Sequence, residues 1–237
     1  MRESLEQIIG WLPELLKASG ITLELTATSV CAALVLSVFL ALGKIARVHR
    51  DTGRPVIDFF GRALTGTIRA VSSAYVFFFR GTPLLMQLFF IYYTLPSLVP
   101  AFTIRSRFFA AFLAFTLNVA AYLAEIIRAA IQSIPKGQLE ASHALGLSYG
   151  QTMRMIVIPQ AYRRMIPPVC NEFVMVLKDT SLVSIIALTD LTFKTKMIAS
   201  NKASAMVYIP AMIIYLIMTA FFTVVFNRLE KRLAKKD

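Results

Sequence analysis

Cysteine and histidine are scarce in this sequence. Of 237 residues, two are cysteine (Cys31 and Cys170) and two are histidine (His49 and His143). Both cysteines lie inside apolar runs, so neither a disulfide framework nor a Cys/His metal site is expected. Acidic residues are also few, 13 against 25 lysines and arginines, which leaves a formal charge of +12. Charged residues make up only 16% of the chain. No basic patch interleaved with aromatics occurs in a polar segment, which argues against a nucleic-acid binder. Catalytic signatures are missing as well. There is no H-E-x-x-H, no G-x-S-x-G and no G-x-x-x-x-G-K-[ST], so neither hydrolytic chemistry nor P-loop binding of ATP is expected of this chain. No Gly/Ser or Pro-rich linker and no repeat of fixed period divides it.

Apolar residues, by contrast, make up 57% of the chain, where a soluble domain carries about 45–50%. The excess is gathered into long runs, which predicts an all-α integral membrane protein with a single membrane domain. A spanning helix needs about 20 apolar residues. Residues 21–43, 107–131 and 206–226 meet this. Two further runs are interrupted: 75–96 by Arg80 and Pro83, and 159–188 by Pro167, Pro168, Glu172 and Lys178. Counting both gives five spans. Ahead of them, Leu5, Ile8, Ile9, Leu12 and Leu16 recur at helical spacing. Residues 1–19 therefore read as an interfacial helix with Trp11 at headgroup level, and residues 20–230 as the membrane core.

Lys and Arg set the orientation. The stretch after the first run holds Lys44, Arg47, Arg50, Arg54, Arg62 and Arg69, and the tail holds Arg228, Lys231, Arg232, Lys235 and Lys236. Both are expected to face the cytoplasm. With five spans the N-terminus then lies outside and the C-terminus inside. The 97–106 loop, with Arg105 alone, faces outward.

This arrangement leaves the segment 134–158 in the cytoplasm between the third and fourth runs. Pro135 should stop the preceding helix near Ser133. Gln138 to Leu145 is a good helix-forming run, ended by Gly146. Ser148 and Gln151 fit a capping box for a second short helix running into 153–156. Ala141, Ala144 and Gly146 are small enough to let another protein approach closely, and Gly146 is expected either to take a positive φ or to touch that partner. An ordinary polar loop would need none of this order.

The run "EASHALGLSYGQTMRMIVIPQA" resembles the EAA loop of bacterial ABC importer permeases in Glu140, Ala141, Ser142, Gly146, Ile156, Ile158 and Pro159. "FRGTPLLMQLFF", "NVAAYLAEIIRAAIQSIPKGQ", "PQAYRRMIPP" and "NEFVMVLKDTSLVSII" are similar to the polar amino-acid branch of that family, the histidine, glutamine and arginine type. The chain departs from the pattern where Ser142 replaces a second Ala, His143 fills a variable position and Leu145 replaces an Asp found in some branches.

The resemblance implies a type I importer permease, residues 1–237 being one transmembrane permease domain in the inner membrane of a bacterium. It implies four kinds of partner: a dimer of ABC ATPase subunits, a second permease copy or paralogue, an extracytoplasmic solute-binding protein, and a polar amino acid as cargo. Residues 134–158 would be the coupling loop, with Glu140, Ala141, Ser142, Gly146, Ile156 and Pro159 at the ATPase contact. ATP and Mg would sit on the partner, and no cofactor on this chain.

Polar groups inside the runs complete the reading. Each ionisable residue at the bilayer centre costs at least about 2.5–3.5 kcal/mol, so such residues are functional candidates. Asn118, Tyr122 and Glu125 share one helix face, and Glu125 can pair with Arg128 three residues on. Thr82 and Pro83 read as N-cap and first residue of a new helix. Asn171, Glu172, Lys178, Asp179, Thr180 and Ser181 fall in or beside an interrupted run, where transporters bind polar solutes. Glu172 suits an ammonium. Lys178, Thr180 and Ser181 suit a carboxylate. The same residues also read as a brace for the helix interruption. Asn118, Tyr122, Asn171, Glu172, Lys178, Asp179, Thr180 and Ser181 are thus the candidate pathway.

Overall fold

The computed structural model describes residues 2–46 and 55–234. Arg47, Arg50, Arg54, Lys235 and Lys236 of the basic stretches lie outside the described residues. The described backbone is almost entirely helical: α1 (Arg2–Ile45), α2 (Pro55–Gly81), α3 (Leu84–Phe89), α4 (Leu95–Leu98), α5 (Arg107–Gln132), α6 (Lys136–Ala144), α7 (Tyr149–Thr152), α8 (Ile158–Asp179), α9 (Leu191–Asn201) and α10 (Tyr208–Ala234). A π turn, Phe90–Thr94, joins α3 to α4, and a second, Met153–Val157, joins α7 to α8.

The core is built on α1 against α5. Ala110, Ala111, Ala114 and Ala120 of α5 are buried against Leu25, Val30 and Ala33 of α1, and Ala121 and Ala124 against Ala41 of the same helix. Small residues let the two backbones approach closely, the usual device where no water-driven force holds helices together. Gly43 serves the same end between α1 and α2, because an added Cβ would collide with the Ser72 side chain. α8 then packs on α5 and α10.

Among the described residues, three helices are long and apolar enough to cross a membrane: Gln7–Ile45, Arg107–Gln132 and Ala205–Leu233. A fourth candidate is the pair Gly61–Gly81 and Leu84–Leu98, bent by 104°. α8 does not qualify by composition. Arg163, Arg164, Glu172, Lys178 and Asp179 are spread along its 22 residues.

Several expectations change. The expected interfacial helix over 1–19 is not a separate element: from Arg2 onward the helix continues into the first span through Pro13. The reason is an unbroken stripe. Trp11, Leu15, Ala18, Thr22, Leu25 and Ser29 recur every three or four residues and are all buried. Trp11 packs against Leu177, Leu191 and Val207 within the molecule. The basic stretch after the first run is also shorter than expected, because α2 begins at Pro55 and takes in Arg62 and Arg69. Those two arginines are seven residues apart, hence on one side of the helix. Pro167 and Pro168 do not interrupt α8, whose neighbouring residues Ile166 and Cys170 stay buried. The change in backbone comes at Thr180, where a 3-10 helix runs to Ile186 and ends on Ala187 at φ 56°.

Candidate functional site

Two groups of polar residues stand out, one at the break between α2 and α3 and one at the loop between α5 and α8.

At the first, Pro83 itself is the N-cap, with extended ψ, and α3 starts at Leu84. The Thr82 hydroxyl instead donates back to the Phe78 carbonyl at 2.9 Å. The carbonyls released by the break are taken up by side-chain amides. Gln87 Nε2 donates to Phe79 O, Thr82 O and Thr82 Oγ1 at 3.0, 3.0 and 2.7 Å. Asn118 Nδ2 donates to Phe79 O and to Gln87 Oε1, both at 3.0 Å. Both donors of Asn118 are therefore spent on the break. Gly81 is not at a close approach: a Cβ there would meet nothing within 4 Å.

Just before the break, the Arg80 guanidinium lies 5.3 Å over the Tyr122 ring. Beside it is a hollow of about 330 Å³ lined by Arg80, Asn118, Tyr122, Glu172, Met175 and Asp179, among others. The structure thus brings together Asn118, Tyr122, Glu172 and Asp179 of the candidate pathway, with Arg80 added. Asn171, Lys178, Thr180 and Ser181 do not line this hollow. Asn171 and Lys178 are exposed. Thr180 is fully buried, and its hydroxyl donates to the Leu177 carbonyl at 2.7 Å. The hollow therefore presents one cation and two carboxylates, the inventory that a zwitterion needs.

Glu125 does pair with Arg128, and Lys44 joins from α1 with Nζ 2.7 Å from Glu125 Oε2. One carboxylate so links two helices through two cations. The partnership of Lys44 was not legible in the sequence, where Lys44 reads as one more basic flank. Gln87 was legible in principle, being a lone amide in the run 84–92.

At the second group, α5 ends at Gln132 with Ser133 as C-cap, as Pro135 dictates. α6 follows and closes in a Schellman motif: Gly146 N donates to His143 O at 2.9 Å and Leu147 N to Ser142 O at 3.1 Å. Gly146 has φ +77° with no atom within 4 Å of a built Cβ, so its requirement within this chain is conformational. The capping box is complete. Gln151 N donates to Ser148 Oγ and Ser148 N to Gln151 Oε1. α7 does not stand alone but passes through the π turn into α8.

Around the turn, Glu140, Ala141 and Gly146 are exposed, Leu145 is 80% exposed and Tyr149 63%. Ser142, in contrast, is buried, Ile156 is half-buried and Pro159 is exposed. Two bonds absent from the sequence reading tie this region down: Gln160 to Gln138 at 2.6 Å, and the Arg164 guanidinium to the Ser133 carbonyl at 2.6 Å. Behind α6 is a hollow of about 590 Å³, lined by Ile45, Ile131, Lys136, Glu140, His143 and Tyr149 among others.

Comparison with known proteins gives this geometry a family. Residues 59–236 match the family described as "Binding-protein-dependent transport system inner membrane component". The chain is 39% identical over 215 residues to the L-cystine transport system permease protein TcyB of Bacillus subtilis (strain 168), covering 90% of this chain and 83% of the relative. It is 35% identical over 235 residues to the arginine transport system permease protein ArtQ of the same organism, covering 97% and 96%. The glutamine transport system permease protein GlnP of Escherichia coli (strain K12) is 38% identical over 176 residues, covering 73% and 80%. Among solved structures, an amino acid ABC transporter with histidines superposes with a TM-score of 0.84 at 33% identity, covering 95% of this chain and 97% of that one. The inward-facing MetNI methionine ABC transporter shares the fold, with a TM-score of 0.74 at 17% identity, covering 94% and 98%. By the family match over most of its length and by relatives that span nearly all of it, the chain belongs to the binding-protein-dependent inner membrane components, as a multi-pass permease of the polar amino-acid ABC importer family.

Proposed function

We propose that the chain carries a polar amino acid into the cell as one of the permease subunits of an ATP-driven importer. A separate ATPase dimer would dock on the loop 134–158, a solute-binding protein would deliver cargo from outside, and a second permease, identical or paralogous, would complete the channel. ATP and Mg belong to the ATPase in this reading. The site is the inner membrane of a bacterium. Five spans are proposed, with the N-terminus outside and the C-terminus in the cytoplasm. They comprise the three long apolar helices, the bent pair, and α8 as a polar span shielded by α5 and α10.

The observation that carries the docking proposal is the finished order of the loop. A Schellman turn and a capping box fix two short helices whose tip exposes Leu145 and Tyr149. Large apolar side chains held out on a rigid turn are what a partner groove takes up. Glu140, Ala141 and Gly146 line that exposed face.

The hollow at Arg80, Glu172 and Asp179 supports an amino acid as cargo. In this reading Arg80 meets the α-carboxylate and Glu172 the ammonium or a basic side chain. The test is purification with the cognate ATPase and binding protein, followed by uptake into proteoliposomes against a panel of amino acids. Glu172→Gln should raise the apparent KM for the transported amino acid, most for a basic one. An unchanged KM across the panel reduces Glu172 to a structural role, and the absence of uptake of any amino acid overturns the reading.

A further inference from the structure

Ser142 departs from the small apolar residue that the EAA pattern prefers, and it is the buried residue of α6. It is 1% exposed, and its hydroxyl lies 2.9 Å from that of Thr152, which is fully buried. The single Ser142 proton is spent on the Leu139 carbonyl at 2.7 Å. Thr152 is therefore the donor, and Ser142 Oγ the acceptor. The pair closes α6 on α7 across the Gly146 turn, and the Gln160 amide of α8, donating to Gln138 Oε1, ties α6 to α8 as well.

Thr152 is fixed in turn from below. Thr152, Val157 and Ala161 are all buried. Thr152 and Val157 are five residues apart, and in a regular α-helix that spacing would leave them about 140° out of line. The π turn Met153–Val157 absorbs the extra residue, with Ile158 N donating to Met153 O. It sits where Pro159 has no N–H to offer the Met155 carbonyl. Pro13, Pro167 and Pro168 occur in helices without such a turn, so proline alone does not dictate it. The burial pattern supplies the remaining constraint.

We propose that Ser142 and Thr152 are positioning residues that weld α6 to α7, and that the π turn seats this welded pair on α8 at one fixed azimuth. The loop then moves as a rigid extension of α8, with no relative motion between its two short helices. The proposal rests on the reading of 134–158 as the ATPase contact.

The test uses the full transporter in proteoliposomes, in a Cys31→Ser, Cys170→Ala background. Ser142→Cys and Thr152→Cys are introduced together. The native oxygens are within about 1 Å of disulfide distance, so an oxidant should join them. Uptake and substrate-stimulated ATP hydrolysis of the oxidised protein should stay within about twofold of the reduced protein. A block on oxidation that reductant reverses would overturn the proposal, since it would show that the two helices must part. Failure to cross-link would overturn it too, since the hydroxyls would then not be neighbours.

A second variant inserts one alanine after Met155. It turns the welded pair by about 100° relative to α8. Uptake should fall at least tenfold while the protein reaches the membrane at normal level. Normal uptake by the insertion variant refutes the fixed azimuth. Gly146→Val separates the two ideas. If that variant transports normally, the coupling reading itself fails; if it does not, while the insertion is tolerated, only the present proposal fails.

Discussion

Replacing Gly146 by valine isolates one backbone angle. At φ +77° glycine is unstrained, whereas a residue with a Cβ pays about 1–2 kcal/mol there, and a β-branched one is worse. No atom lies within 4 Å of a Cβ built at this position. Within this chain the penalty is therefore conformational rather than steric. If the turn gives way instead, it releases the two Schellman bonds, from Gly146 N to His143 O and from Leu147 N to Ser142 O. Each contributes about 1 kcal/mol, so the two routes cost the same order. A change of 1–2 kcal/mol shifts the occupancy of the native turn about 5- to 30-fold. The spans should be untouched, because the change lies at a solvent-exposed turn. Uptake and ATP hydrolysis are measured in proteoliposomes with the cognate ATPase. The Val variant should reach the membrane normally and lose most coupled uptake. Gly146→Asn should lose much less, since asparagine tolerates the left-handed region, with Gly146→Ala between them. Equal losses for Asn and Val would refute the argument from φ, and normal uptake by Val would refute the role of the loop.

Glu125→Gln removes the shared partner of Lys44 and Arg128; it should cost about 1–3 kcal/mol and lower the Tm in detergent, and an unchanged Tm would show that the cations find other partners. Gln87→Leu strips the amide from the Phe79 and Thr82 carbonyls and should destabilise by a similar amount, whereas Gly81→Ala, with open space around it, should leave the Tm within error. For topology, Ser97→Cys should react with an impermeant reagent from outside and Gly137→Cys should not, the opposite pattern overturning the proposed orientation.

What the sequence disclosed and what it hid follow from the range of each interaction. The end of α5, the stop of α6, the left-handed Gly146 and the Ser148–Gln151 box were all legible, because each is decided within about six residues by proline, glycine or a capping side chain; α6 starts at Lys136, two residues ahead of the expected Gln138. The Glu125–Arg128 pair was legible for the same reason. Its third member, Lys44, is 81 residues away, and no local pattern announces it. The spacing of Leu5, Ile8, Ile9, Leu12 and Leu16 shows a helix but not whether it continues into the next run, so it read as a separate interfacial segment. Glu14 is paired with Lys194 of α9 at 2.5 Å, and the buried stripe from Trp11 onward decides the matter. The π turn was hidden as well: a one-residue offset in burial, Thr152 to Val157, cannot be seen before burial is known.

The break at Gly81–Pro83 explains why polar residues gather in the middle of an apolar bundle. Breaking a helix within a low-dielectric layer releases carbonyls, each of which costs free energy unless a donor is found. Gln87 and Asn118 supply those donors, and they serve the backbone first. The 104° bend that they stabilise turns α3 away from the line of α2. Arg80 is thereby left at a helix end, stacked on Tyr122 and across a hollow from Glu172 and Asp179. An arginine and two carboxylates in one place relieve part of one another's desolvation cost, and a bound zwitterion would relieve more. The brace and the hollow are therefore one construction. A variant that loosens the brace, such as Gln87→Leu, should disturb the Arg80 neighbourhood along with the fold. For that reason Glu172→Gln, which leaves the brace intact, is the cleaner probe of cargo. If Gln87→Leu lowered the Tm but left the apparent KM unchanged, the hollow would have to be independent of the break, and the link drawn between them would not stand.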